Sequence, residues 1–380
     1  NHQYIPFFML ALPFVFIEPA PVDIFTIIFT MFLLFNGFVR KSIVNLALTY
    51  TFFIFVSFIF VIFIQGELSE NTFPYIRYFF VDIFILIIFI IFTSLAFYKD
   101  FNVENALKWY FYGAAISSVL VLIFYSVGSD IVFREFGLRL KGFFKDPNVL
   151  APYLASAIII GWYFLFSSKK ILKFIVPSIL IMLICLFLTG SRGGYLTLML
   201  SFIFYLFLMP QSNSKVFILI AMGLISASLL LFITTNPDAY LVQRFELQDY
   251  DDNRFSAFSE FIKIAIEYPL GYGAAFAAYE LSQDDLIASD RIGHNIIINK
   301  AVNSGIFSCV ILMVFLTASC LYGPYKSFRL RNKKYIILGI VLITTLINSM
   351  AIDSGHWRHF FVLASIMLGS VMAGRIKIDY

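Results

Sequence analysis

An all-α bundle of about twelve membrane-spanning helices is the fold class this sequence predicts, and three observations predict it. Of 380 residues, 61% are hydrophobic and only 13% are charged, about half the charged share of a soluble domain. Apolar runs of roughly the 20 residues that a helix needs to cross a bilayer recur from end to end, with short polar breaks between them. The charges in those breaks fall into two unlike sets on alternate connections, as they do when a chain passes back and forth through a membrane.

Read between charges and Gly/Pro breaks, the first six spans lie near Tyr4–Ile17, Val22–Val39, Leu46–Ile64, Tyr78–Phe97, Ala106–Val127 and Val149–Phe166. Six more lie near Phe174–Leu188, Tyr195–Leu208, Val216–Ile233, Ile296–Tyr322, Tyr335–Ile352 and Phe360–Ala373. The first is short for a full crossing. The chain thus divides into 1–233 with nine spans, one long connection over 234–293, and 294–380 with three spans. No soluble domain of normal size is left over.

The connections that carry Arg40-Lys41, Lys169-Lys170-Lys173, Lys215 and the run from Lys326 to Lys334 form the cytoplasmic set, which puts both termini inside. That set holds eleven lysines, four arginines and three acids, whereas the outward set holds eight arginines, four lysines and nineteen acids, with Asp82 left inside a span. A lysine ammonium is enough to fix topology, but the planar fork of arginine suits bidentate contacts to phosphate. The outer face therefore reads as built to hold an anion. Each outward arginine also has the ordinary alternative of pairing with a nearby acid or snorkelling to the headgroups.

Cys185, Cys309 and Cys320 all fall within apolar runs and read as small buried hydrophobes, so neither a disulfide framework nor a metal site is expected. Nothing calls for a cofactor or a nucleic-acid partner. With no basic segment ahead of the first apolar stretch, a cleaved secretory signal is not expected, and the missing Met suggests a trimmed start.

Three outward segments could carry chemistry. In Arg139-Leu-Lys-Gly142-Phe-Phe-Lys-Asp146-Pro147-Asn148, Asp146 suits an N-cap and Pro147 the first turn of the helix that follows, whose N-terminus favours a nearby phosphate. Thr189-Gly190-Ser191-Arg192-Gly193-Gly194 is too short for a solvated loop, so Arg192 sits at or just below the bilayer surface, where a cation needs a partner or a wet cavity. The stretch from Thr234 to Gly293 is the longest connection. Within it Phe255, Phe258, Ile262 and Ala265 recur at helical spacing, which predicts an amphipathic helix over Asn253–Tyr268 with Arg254 in its first turn and Pro269 at its end. Asp249, Asp251 and Asp252 read as a solvated acidic loop, because the Gly and distal Glu of a calcium loop are missing. Gly293-His294-Asn295 then opens the tenth span, where the helix dipole favours a neutral, basic imidazole. His356 and His359 flank Trp357 and Arg358 in the last outward turn and read as interfacial anchors.

Taken in order, Gly142-Phe-Phe-Lys-Asp-Pro-Asn148, Thr-Gly-Ser-Arg-Gly-Gly194 and Arg254 with Pro-Leu-Gly271-Tyr-Gly273 and His294-Asn295 resemble the O-antigen ligase and polymerase superfamily. The resemblance covers roughly the C-terminal two thirds; the first five spans share only hydropathy with that family. It implies a GT-C type glycosyltransferase of the bacterial inner membrane, working on its periplasmic face with a glycan donor linked to undecaprenyl pyrophosphate; arginines in place of a metal ion are then expected to hold that pyrophosphate. Membrane lipids and a chain-length-regulating co-polymerase are the other partners it implies. Arg192 and Arg254 correspond to the family's pyrophosphate-binding arginines, Arg139 to a less uniform one, and His294 to the histidine implicated in acceptor activation. The wording Phe-Phe-Lys-Asp-Pro-Asn-Val is closer to polymerases than to ligases. A flippase or other transporter is the rival from another class, since twelve spans with both ends inside suit it equally.

Overall fold

Each of the twelve apolar runs carries a helix in the computed structural model, which describes residues 4–15, 20–35, 39–65, 72–98, 100–134, 139–167, 172–210, 214–236, 249–283 and 295–377. The first half contains α1 (Tyr4–Ala11), α2 (Pro21–Phe35), α3 (Lys41–Gln65), α4 (Thr72–Phe97), α5 (Val103–Ser126) and α6 (Pro147–Ser167). A short antiparallel ladder, β1 (Phe133–Arg134) with β2 (Arg139–Leu140), lies between α5 and α6. The second half contributes α7 (Leu172–Leu188), α8 (Arg192–Leu208), α9 (Ser214–Thr235), α10 (Asp249–Glu267), α11 (Ala274–Gln283), α12 (Ile296–Leu316), α13 (Gly323–Arg329), α14 (Lys333–Ser349) and α15 (Arg358–Met372).

Among the described residues, α3, α4, α5, α6 and the run Ile296–Arg329, which joins α12 to α13 through a wider π-type turn, are long and apolar enough to cross a bilayer. Several other apolar helices are shorter. With its eight residues α1 is about 12 Å long, against a hydrocarbon core of roughly 30 Å. The run Tyr4–Ile17 is thus not one long helix. Pro13 disfavours helical backbone at Leu12 and offers no N–H, so α1 stops at Ala11.

The helices divide by how they meet their surroundings. α3 buries Ile43, Ala47, Ile54, Ser57 and Val61, a single stripe at helical spacing, while Phe52, Phe55, Ile59 and Phe63 stand exposed on its other faces. Large apolar side chains exposed along a whole helix face fit only a hydrocarbon solvent. α6 is the opposite case, buried on nearly every side from Leu150 to Ile160. This is an all-α, multi-pass membrane protein with α6 at its centre and α3 at its edge.

Connections that the charge reading puts on opposite sides gather at opposite ends of the bundle. At one end Arg40 lies 4.2 Å over the Phe97 ring, Arg375 donates to the Phe97 and Phe101 carbonyls at 2.8 and 3.2 Å, and Asn332 donates to the Lys377 carbonyl at 2.8 Å. At the other, the Val15 N–H donates to the Phe143 carbonyl at 2.9 Å and Asn295 donates to the Met350 carbonyl at 3.1 Å. Arg139–Asn148, the Thr189–Gly194 turn and the Asn295 start of the tenth span belong to this second end, the motif end.

Without a hydrophobic drive between helices in lipid, close approach through small residues does much of the packing. Gly369 of α15 shows the limit: a Cβ there would lie 2.5 Å from the Thr93 carbonyl oxygen and 2.6 Å from the Ala96 Cβ of α4. Gly369→Val should therefore force the helices apart and lower stability by about 1–3 kcal/mol. The check is thermal unfolding in detergent followed by labelling of the three buried thiols, Cys185, Cys309 and Cys320, with a lower midpoint than wild type expected.

Candidate active site

The turn between α7 and α8 is built residue by residue. Gly190 takes φ +57°, the left-handed conformation that ends a helix and that glycine adopts without a Cβ penalty. The Thr189 hydroxyl accepts the Ser191 N–H at 3.2 Å, and the Ser191 hydroxyl caps α8 by accepting the Gly194 N–H at 3.3 Å. Arg192 is thereby the first residue of α8, half-buried, beside the positive end of the helix dipole. The two glycines that follow are small because α8 is wedged between neighbours. A Cβ on Gly193 would lie 2.5 Å from Asn348 Oδ1 of α14, and one on Gly194 would lie 2.3 Å from the Ala151 Cβ of α6.

Arg139 is tied to this turn. It is 3% exposed; its Nε donates to the Thr189 carbonyl at 3.0 Å and its Nη2 to Asn148 Oδ1 at 3.1 Å. The same Asn148 oxygen accepts from the Ser191 hydroxyl at 3.0 Å. Asp146 caps α6 as the sequence suggests, its carboxylate accepting the Asn148 N–H at 2.7 Å. Two segments about fifty residues apart are thus one structure, joined by Asn148, a residue that sequence reading quoted within a motif but gave no role.

The third segment meets α12. Asn295 caps that helix, its Oδ1 accepting the N–H groups of Ile297 and Ile298 at 2.9 and 3.1 Å. His294, one residue earlier, lies outside the described residues. α12 is broken at Ser304 and Gly305, where Gly305 takes φ +78°. The segment from Pro269 to Gly273 fits into the break: the Pro269 carbonyl accepts the Ile306 N–H at 2.8 Å, and the Val302 carbonyl accepts the Tyr272 and Gly273 N–H groups at 2.8 and 3.0 Å. A Cβ on Gly305 would lie 2.7 Å from the Leu270 backbone, and one on Gly271 would lie 2.6 Å from the Ser57 hydroxyl of α3. The Pro-Leu-Gly-Tyr-Gly wording therefore encodes a loop that docks backbone to backbone.

α10 begins at Asp249, four residues before the expected start, so Asp249, Asp251 and Asp252 belong to helix rather than to a loop. Acids in a first turn suit the dipole. Arg254 is the sixth residue of α10; its side chain lies outside the described ones. The buried stripe is also shifted. Phe261 is fully buried with Ala274, Ala277, Ala278 and Val302, whereas Phe258 and Ile262 are exposed. Apolar residues occupy several faces of this helix, and the docking of α11 and Val302 decides which one is covered.

Beneath these segments, a cavity of about 290 Å³ runs between α3, α4, α12 and α15. Its walls are mostly apolar, from Leu46 and Met372 at one end to Ile296, Asp353 and His356 at the motif end. One charged pair interrupts them: Lys300 Nζ stands 2.6 Å from Asp82 Oδ2, which also accepts the Ser304 hydroxyl at 2.9 Å. Lys300 further lies 5.1 Å from the Tyr50 ring centre. The sequence reading left Asp82 within a span and named no partner for it; the structure makes Lys300, within the Ile296–Tyr322 run, that partner. One acid and one base in different apolar runs was the available signal.

The last outward turn also differs from expectation. Trp357 and His359 are 1% and 2% exposed, stacked on each other with ring centres 5.7 Å apart, and His359 abuts Tyr153. They are core residues rather than interfacial anchors: the His359 ring is held between Trp357 and Tyr153 of α6. Arg358 takes the ordinary alternative, a forked pair with Asp23 at 2.6 and 2.8 Å. His356 is exposed and lines the cavity at its motif end, beside Asp353. Partial desolvation by the protein around the cavity mouth pushes its pKa below the ordinary 6.5, Asp353 opposes this, and Arg358 adds to it.

One comparison with protein families bears on this region. Residues 177–313 match the O-antigen ligase family. The matched segment begins at Pro177 in α7 and ends at Met313 in α12, so it includes Arg192, Arg254, the Pro269–Gly273 loop and His294. It leaves out Arg139, Asn148 and Asp82. The match supports for this chain the O-antigen ligase and polymerase superfamily that its motifs resemble, whose members are glycosyltransferase-like enzymes. A comparison with curated proteins gives no match.

Two expected outcomes follow from the geometry. Arg139→Met strands the Thr189 carbonyl and removes one donor from Asn148, which should cost about 1–3 kcal/mol, read as a lower midpoint of unfolding. For His356 the unfolded chain takes up a proton near pH 6.5 but the folded chain only at lower pH. Stability from the neutral form is therefore present above that value and declines as pH falls through it. Melting curves between about pH 7 and 5 should fall more steeply for wild type than for His356→Gln.

Proposed function

We propose that this protein is an inner-membrane glycosyltransferase that polymerises undecaprenyl-pyrophosphate-linked repeat units on the periplasmic face. The observation that carries the reading is the convergence of motifs: the Arg192 turn, the Arg139–Asn148 segment and the Asn295-capped start of α12 stand at one end of one bundle, and the family match spans two of the three. A helix N-terminus with an arginine as its first residue suits a phosphate group.

In this mechanism Arg192 and Arg254 hold the pyrophosphate, and their contacts strengthen as negative charge builds on the leaving group. No metal is needed, because two guanidinium groups supply the positive charge. His294, neutral at pH 7, accepts the proton of the acceptor hydroxyl as that oxygen attacks the anomeric carbon, so the sugar inverts. Arg139 holds the turn that presents Arg192. Transfer to lipid A–core, as in a ligase, uses the same chemistry with another acceptor, and the family description favours it as the second reading. The broken α12 and the Lys300–Asp82 pair are features a transporter would also have; the family match weighs against that reading.

The test is to purify Arg192→Ala, Arg254→Ala and His294→Ala and follow chain growth from lipid-linked repeat units in the presence of chelator. Loss of each arginine should slow elongation by on the order of 10²–10³. Full activity in all three variants, or strict dependence on a divalent ion, would reject the mechanism. Supplying lipid-linked repeats and lipid A–core separately distinguishes polymerase from ligase.

A further inference from the structure

We propose that Asp82 is a positioning residue: by holding Lys300 and Ser304 on one carboxylate oxygen it pins the first half of α12 to α4, and with it the residues that lead into that half. Its catalytic consequence rests on the function proposed above; its mechanical part does not.

The break at Ser304 and Gly305 leaves a first half of eight residues, Ile296 to Asn303. A helix that short does not hold itself in place and depends on its surroundings. Its axial anchors are known: Asn295 donates to the Met350 carbonyl, the Val302 carbonyl receives the loop N–H groups of Tyr272 and Gly273, and Asn303 Oδ1 accepts the Ala274 N–H at 3.3 Å. Asp82 supplies the lateral tie. Lys300, four residues before the break, and Ser304, at the break, both reach its Oδ2. The pair is 7% and 15% exposed by side chain and stands in a mostly apolar wall. Charges there are costly to desolvate and add little net stability, so fixing geometry is the stronger reason to keep them. Lys300 lies six residues after His294 and five after Asn295. The loop bound to Val302, in that same first half, leads back to α10, which carries Arg254. One carboxylate is thus linked through the chain to the start of α12, next to His294 in sequence, and to the helix whose sequence includes Arg254.

The experiment uses the full chain in nanodiscs and the variants Asp82→Leu/Lys300→Met, Asp82→Asn and Lys300→Arg. Replacing both charges with apolar groups avoids an unpaired buried charge, so the double variant should fold. Hydrogen exchange over 295–306 should quicken by about tenfold or more in the double variant while 147–167 stays protected. Elongation kcat should fall on the order of tenfold to a hundredfold, with the donor KM within about threefold of wild type. Asp82→Asn should shift in the same direction, and Lys300→Arg, which keeps the charge and reach, should restore both readouts toward wild type. Unchanged exchange over 295–306 overturns the proposal, and so does an unchanged kcat, or a raised donor KM at constant kcat, which would mark the pair as part of the donor site. A wild-type protein that elongates no glycan while the double variant still shows faster exchange supports the pin and rejects the proposed function instead.

Discussion

The motif end depends on one shared acceptor. Asn148 Oδ1 receives both the Arg139 guanidinium and the Ser191 hydroxyl, and Asn148's own N–H is held by Asp146. Through that amide the cap of α6, the strand before it and the cap of α8 become one rigid unit. Rigidity there is what a charge-stabilising site needs, since donors that must reorganise during reaction lose much of their advantage. The wedge of Gly193 against Asn348 and Gly194 against Ala151 completes the clamp from the side of the helices.

Much of the fold was legible in the sequence because lipid imposes simple rules. Length and hydropathy located the helices, and charge sorted their connections into two groups that do gather at two ends. The Thr-Gly-Ser-Arg-Gly-Gly and Pro-Leu-Gly-Tyr-Gly wordings stood out as motifs, and Gly193, Gly194 and Gly271 now have a packing reason. What the sequence could not supply was choice among equivalent faces. In α10, Phe258, Phe261 and Ile262 are equally apolar, and only the partner helix selects Phe261. Trp357 and His359 look interfacial by composition, yet α6 draws them into the core.

The charged pair was illegible for a different reason. Asp82 and Lys300 are more than two hundred residues apart, each near the outward end of its own apolar run, and each is explicable alone as an edge charge. Their meaning lies in proximity, which periodicity does not report. The same holds for Arg139. Its residue type suits a phosphate, whereas its Nε and Nη2 are directed at a carbonyl and an amide that periodicity does not place beside it.

The interrupted α12 has a consequence for how this protein can vary. In lipid a broken helix leaves backbone donors and acceptors that water cannot reach. Here the Pro269–Gly273 segment acts as a splice, lending its own peptide groups in place of the missing turn. A splice works at one length only: an added or deleted residue would put every lent group out of register and leave peptide groups at the break unpaired. These five residues therefore admit no insertion or deletion, their number being fixed by the helix they repair.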